Sequence, residues 1–277
     1  MNNIDTSRIA MAIWPWGTST KEQMETAAKE ISEIGFKGFE SVQHAIYAYD
    51  MDLNAYKDVL KRYDITPVSF YFHIPRTDEE KAKMFSSLDR ELEFVANLGT
   101  THICLQGQGG RPELMDEARK AEQLEIITKV AKAAKKHGIC AGIHPHYNSW
   151  IMYEDEIDYM MQNSDRDTLF FTPDTAHMIA SLCDPVEVIK RYADRIKFTH
   201  FKDIGAEGLR YDGDASCGPE VYSNFRELGE GCVDLKGCFD VLKEAGYDGP
   251  LCIELDKAPI SNAISAKKCY DYIKNNY

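Results

Sequence analysis

Short unbroken apolar runs alternate along this chain with longer stretches in which apolar residues recur every three or four positions. The runs predict strands over Arg8–Trp16, Gly38–Val42, Pro67–His73, Thr101–Leu105, Cys140–His146, Leu169–Pro173, Lys197–Phe201 and Pro250–Leu255. The helical spacing predicts helices over Lys21–Ile34, Asn54–Arg62, Glu117–His137, Glu154–Met161, Asp234–Ala245 and Ser261–Ile273. A further long helix is capped by Asp78 and runs to Leu98, and another is opened by Asp184 and Pro185 as N-cap and first-turn proline. Strands that read as continuous apolar runs belong in a parallel sheet covered on both faces. Strand and helix alternate with a period of roughly 30 to 35 residues, the length of a βαβ unit.

Eight such units predict one closed (β/α)8 barrel, a TIM barrel, spanning residues 1–277 as a single domain. A doubly wound open sheet is the competing arrangement, but the chain has no Gly-rich phosphate fingerprint to support it. The segment Gly205–Gly231, rich in Gly, Asp, Ser and Pro, reads as a loop over the barrel mouth.

Composition narrows the function. The net charge of −13 argues against nucleic acid as a partner, because phosphate contacts need clustered Lys and Arg. No apolar run approaches the ~18 residues of a membrane span. The eight cysteines form no CxxC pair, and several fall in apolar strand or helix patterns as buried thiols. The N-terminus lacks a basic stretch followed by an apolar one, so the expected setting is the reducing cytoplasm. Without a dinucleotide motif, no nucleotide cofactor is expected.

The chemistry gathers between Cys140 and Glu254. Four strand ends there break into ligand-type residues: His144-Pro145-His146, Asp174-Thr175-Ala176-His177, His200-Phe201-Lys202-Asp203 and Glu254-Leu255-Asp256. In a closed parallel barrel those ends open on one face, where such barrels do their chemistry. Residues two apart on a strand share a side, so His144 pairs with His146, His200 with Lys202, and Glu254 with Asp256. Asp174, His200, Glu254 and one of the two strand-five histidines make a mixed N/O set suited to a divalent metal. Mn²⁺ suits it, with Co²⁺ or Zn²⁺ as substitutes.

The Asp-Thr-Ala-His, His-Phe-Lys-Asp and Ile-Glu-Leu-Asp segments, in this order, resemble the xylose isomerase-like barrel superfamily of sugar isomerases, epimerases and inosose dehydratases. The likeness covers nearly the whole chain. By motif it implies that Asp174, His200 and Glu254 hold a divalent metal and that His177 contacts substrate. Epimerases of that superfamily carry a metal-binding Glu on strand five, where this chain has His144 and adds His146. The change resembles the branch of inosose dehydratases and the large, metal-binding subunits of C-glycoside deglycosidases, and argues against simple epimerisation.

We therefore expect His144 as the fourth metal ligand and His146 as the general base. Glu40 and Lys202 are the further candidate catalytic groups. Trp16 and His73, near strand ends, are expected to touch substrate, and Trp14, Phe72 and Trp150 are further aromatic neighbours. The expected activity is removal of a proton α to the carbonyl of a keto-sugar, 3-keto glycoside or keto-inositol, with loss of a β-leaving group. A ketose epimerase or sugar isomerase is the alternative enzyme, and a non-catalytic sugar-binding subunit the alternative outside catalysis. The partner is a small molecule, and assembly as a homo-oligomer or with a small second subunit is compatible with the sequence.

Overall fold

A computed structural model of the chain describes residues 4–111, 114–209, 220–256 and 258–277. Eight parallel strands form one sheet: β1 (Ile9–Ala12), β2 (Gly38–Val42), β3 (Thr66–His73), β4 (His102–Gln106), β5 (Cys140–His144), β6 (Leu169–Phe171), β7 (Thr199–Phe201) and β8 (Leu251–Ile253). Its order is β6-β5-β4-β3-β2-β1-β8-β7. The sheet curls so that its two end strands meet, through bridges Phe171↔Ile196 and Asp174↔His200. The His200 N–H donates to the Pro173 carbonyl at 2.9 Å across this seam. The helices around it are α1 (Lys21–Ile34), α2 (Leu53–Tyr63), α3 (Asp78–Asn97), α4 (Glu117–Lys136), α5 (Glu154–Gln162), α6 (Thr175–Ala180), α7 (Pro185–Tyr192), α8 (Glu220–Ser223), α9 (Leu235–Glu244) and α10 (Asn262–Asn276). No helix among the described residues is long and apolar enough to cross a membrane.

The barrel architecture is as the alternation implied, and the differences are local. Strand β1 stops at Ala12, and Trp14-Pro15-Trp16 forms a 3-10 turn instead, since proline has no N–H for a ladder. Helix α3 is capped by Thr77, which exchanges hydrogen bonds with Glu80 in a capping box, so Asp78 is its first residue. Asp174 caps the short, unanticipated helix α6, accepting from the His177 N–H. Strand β5 ends at His144, so His146 lies beyond the ladder. The Asp184 and Pro185 start of α7 is as expected.

Of the segment Gly205–Gly231, residues 210–219 lie outside the described residues. Its described part pairs Phe225–Arg226 antiparallel with Asp203–Ile204 and lays Tyr222 and Phe225 against the barrel mouth. Among the described cysteines, Cys104, Cys183, Cys238, Cys252 and Cys269 are buried free thiols, whereas Cys232 is exposed.

Inside the barrel, alternate residues point inward. Ala10, Ala12, Phe198 and Cys252 form a separate apolar cluster at its lower end, and the His102 ring stacks on Phe198 at 5.6 Å. Above that plug the inward positions turn polar: Glu40, Tyr71, Gln106, His144, His200, Lys202 and Glu254. The plug excludes water from below, so the polar layer is open only toward the mouth.

Arg195 reinforces the seam. Its guanidinium, 2% exposed, donates to the carbonyls of Met161 and Leu169 and to Ser164 Oγ, tying the approach to β7 onto the end of α5 and the start of β6. Arg195→Met would leave two carbonyls without their donor, at a cost of about 2–4 kcal/mol. The expected result is a melting temperature lower by several degrees. An unchanged melting curve would show that the seam closes without this residue.

Candidate metal centre and active site

His144 ends β5, Asp174 caps α6 just past β6, His200 lies within β7, and Glu254 follows β8. The barrel brings one ligand atom from each to within 4.8 Å of the others. All four side chains are buried, none more than 3% exposed. Both ring nitrogens of His144, Oδ2 of Asp174, Nδ1 of His200 and Oε2 of Glu254 have no hydrogen-bond partner. A buried polar atom without a partner costs about 1–3 kcal/mol, so such atoms rarely gather around one point in a finished fold. His200 Nδ1 and Glu254 Oε2 stand 2.8 Å apart without a hydrogen bond between them. Four converging nitrogen and oxygen donors of this kind fit a divalent cation.

The thiols nearby do not compete for it. Cys104 with His144 and His200, and Cys252 with Glu40 and His200, also form close groups. Burial pushes the Cys104 thiol well up and the Cys252 thiol up to about 12. Both stay protonated, and only a thiolate ligates well.

Glu40 sits behind His200, away from the cavity. It is fully buried, bonded to His200 Nε2, and receives the Ser69 hydroxyl at 2.6 Å. Since that bond occupies Nε2, Nδ1 is the nitrogen turned toward Glu254 and Asp174. A carboxylate in this position fixes the tautomer and ring angle of a ligating histidine. Burial opposes charge on His200, but Glu40 and Glu254 outweigh it and raise the imidazole well above its ordinary value.

Lys202 is the cation of the opposite wall. Its fully buried ammonium donates to Glu254 Oε1 at 2.8 Å, Asp256 Oδ1 at 2.9 Å and His177 Nε2 at 3.1 Å. It also lies 4.1 Å from the centre of the Phe225 ring. Burial works against this charge, yet Asp256 and Glu254 raise the ammonium above its ordinary value, so it stays protonated. The same cation acts on the two neighbouring histidines. His177 is held well below its usual range by burial and by His146 and Lys202. Burial and Lys202 together press His146 down to about 3, so it is neutral at physiological pH. Its Nδ1 meets the Tyr147 carbonyl at 2.6 Å, which can only accept, and Nε2 is therefore the unprotonated nitrogen. The rings of His146 and His177 lie 3.8 Å apart, and those of His144 and His146 5.6 Å apart.

A cavity of about 210 Å³ lies over this layer, lined by Trp14, Val42, Tyr71, His73, Gln106, His146, Glu254 and Asp256. His146 and His73 both line it. Trp16 does not: its indole turns away and donates to Glu30 on α1 at 2.7 Å. Trp14 takes the wall instead, edge-on to Tyr71 at 5.5 Å. Phe72 is buried in the core, and Trp150 stacks under Arg119 away from the cavity.

The sequence reading passed over Tyr71 and Gln106. Tyr71 stacks on His200 at 6.1 Å and donates to Gln106 Oε1 at 3.1 Å. The spacing of Tyr71 two residues before His73 put both on one side of β3, but Gln106 is brought to the wall only by its pairing in register with His144.

Comparison with known proteins places this geometry. The family model described as "Xylose isomerase-like TIM barrel" matches residues 28–272. An inosose dehydratase of Clostridium beijerinckii is 25% identical, with 98% of each chain covered. The crystal structure of the IolI protein with a bound zinc atom superposes with a TM-score of 0.79 at 14% identity, covering 98% of this chain and 99% of that one. The probable 3-DHS dehydratase AsbF of Bacillus anthracis gives a TM-score of 0.75 at 16% identity, covering 98% and 100%.

Two substitutions test the centre. His200→Ala should abolish most divalent-metal binding, measured by elemental analysis and titration calorimetry. Glu40→Gln should weaken it about 10 to 100-fold while every ligand remains. Wild-type metal content in His200→Ala would refute the ligand set.

Proposed function

Because this chain belongs to the xylose isomerase-like TIM barrel family, we propose that it is a divalent-metal-dependent lyase acting on a keto-sugar, 3-keto glycoside or keto-inositol. In this reading it removes the proton α to the carbonyl and expels a β-leaving group. One observation carries the proposal: four buried ligand groups with unpartnered atoms lie beside a neutral histidine that opens onto the same cavity. The dehydratase names of the C. beijerinckii and AsbF relatives support it.

His144, Asp174, His200 and Glu254 would hold the metal, and the nitrogen–oxygen set suits Mn²⁺, with Co²⁺ or Zn²⁺ as substitutes. The ion, when bound, supplies Lewis-acid stabilisation of negative charge developing on the substrate's carbonyl oxygen. Lys202 adds a fixed positive charge on the other side of Glu254. Glu40 holds the His200 ring in place and takes no part in proton transfer. Trp14 and Tyr71 offer the ring of the substrate an aromatic wall.

His146 receives the proton on Nε2. Its low basicity reflects burial and the nearby Lys202 cation. Negative charge growing on the substrate acts in the opposite sense and raises its proton affinity as the reaction proceeds. Once the carbanion has expelled its leaving group, that charge is gone and the imidazolium gives up its proton readily.

His146→Ala should lower turnover by about 10² to 10⁴-fold, with metal content near wild type and solvent-deuterium exchange at the substrate α-carbon lost. Persistent exchange would place the base elsewhere. The purified chain should convert the keto compound and leave the parent, unoxidised glycoside untouched, as mass spectrometry of both reactions would show. Efficient turnover of the parent without added cofactor would sink the proposal.

A further inference from the structure

Two carboxylates line the cavity over the ligand cluster, and the proposed reaction uses one of them. Glu254 belongs to the cluster, whereas Asp256 does not. Asp256 stands two residues past Glu254, beyond the end of β8, with its side chain 29% exposed. Its two oxygens have different surroundings. Oδ1 accepts from the Lys202 ammonium at 2.9 Å, while Oδ2 is buried and has no hydrogen-bond partner. The same ammonium donates to Glu254 Oε1 at 2.8 Å, so one cation holds the two carboxylates side by side.

Acting as counter-charge to Lys202 accounts for Oδ1 alone. The unpartnered atoms of His144, Asp174, His200 and Glu254 meet at one point and are explained by a cation, but Asp256 lies outside that group. A buried acceptor left unmade costs about 1–3 kcal/mol, and more when it carries charge. In the wall of a cavity that cost is removed when a bound molecule brings a donor. An ion-paired carboxylate accepts hydrogen bonds and gives none, so Oδ2 calls for an O–H or N–H. In a keto-sugar or keto-inositol held by its carbonyl at the ligand cluster, the ring carbons near that carbonyl carry hydroxyls. These are donors of the right kind beside Glu254, where Asp256 stands.

We propose that Asp256 is a specificity-determining residue of this site: its Oδ2 accepts a hydrogen bond from one ring hydroxyl of a polyol ketone, and Lys202 holds the carboxylate in place through Oδ1. The inference rests on the lyase reading and deepens it, because it selects ketones that keep that hydroxyl over analogues that lack it.

The test uses Mn²⁺-loaded protein, with methyl 3-keto-glucoside, 2-keto-myo-inositol and the monodeoxy analogues of each. Asp256→Asn is the informative variant, since its amide oxygen keeps the Lys202 contact and its NH2 group puts a donor in place of Oδ2. Affinity is read by calorimetry in the His146→Ala background, where the proposed base is absent, and kcat/KM in the presence of His146. With Asp256 present, loss of one particular hydroxyl should weaken binding by about 10 to 100-fold, the worth of a hydrogen bond to a charged group. With Asp256→Asn the parent ketone should bind more weakly by that factor and the same deletion should cost nothing further, while metal content and melting temperature stay near wild type. A merely structural Asp256 would change the affinities of parent and deoxy compounds in parallel, and that result overturns the proposal. So does a protein with Asp256 present that binds every deoxy analogue as tightly as its parent, or that binds no ketone at all. If the ketones bind but none is consumed when His146 is present, the lyase reading fails, and the affinities still decide the role of Asp256.

Discussion

Four donor groups buried at one point are the constraint on which the rest of this structure depends. Asp174 and Glu254 are carboxylates at 0% and 3% exposure, and His144 and His200 complete the set. Negative charge removed from water in this way must be compensated, or the groups take up protons. Burial and the nearby Glu254 do push the Asp174 carboxyl well above its ordinary value. Glu254 moves the other way: burial would raise it, but Lys202 and His200 outweigh that and hold it low. The layer is built to be neutralised by cations, and its unpartnered atoms fit a divalent one.

The surrounding residues follow from that requirement. Behind the cluster, Ser69 and Glu40 orient His200 without reaching the cavity. Beside it, Lys202 is shared between Glu254, Asp256 and His177. Burial first and that shared cation next weaken the basicity of His146, and burial, His146 and Lys202 do the same to His177. Below, the apolar plug of Ala10, Ala12, Phe198 and Cys252 keeps water from the lower end. Above, Tyr222 and Phe225 pack on the rings of His146 and His177. Trp14 and His73 line the cavity over the cluster.

Much of this was legible in the residues. A repeat of apolar run and amphipathic stretch settles a parallel barrel because strands covered on both faces have no polar side to show. Ligand-type residues at the ends of consecutive runs settle which face carries the chemistry, and the convergence of His144, Asp174, His200 and Glu254 needs only that the strands be parallel and neighbouring. Trp16 and Glu40 were harder. Trp16 was read as the last residue of the first strand, and whether its indole faces the cavity depends on where that strand stops: it stops at Ala12, before the Trp14–Trp16 turn. Glu40 lies on a strand remote in sequence from His200, and only barrel closure puts it behind that ring.

By itself, then, the sequence determined the periodicity, the order of strands and helices, and the ligand-type groups at the mouth, Asp174, His200 and Glu254 with one of His144 and His146. These depend on local spacing and on alternation along a strand, both of which are written residue by residue. Only the tertiary structure decided which nitrogen of His200 is free, that burial and Lys202 together hold His146 neutral, that Tyr71 and Gln106 join the wall, and that His73 lines the cavity. Each of those is a contact between segments far apart in the chain, fixed by barrel curvature and by side-chain packing that no spacing along the sequence encodes.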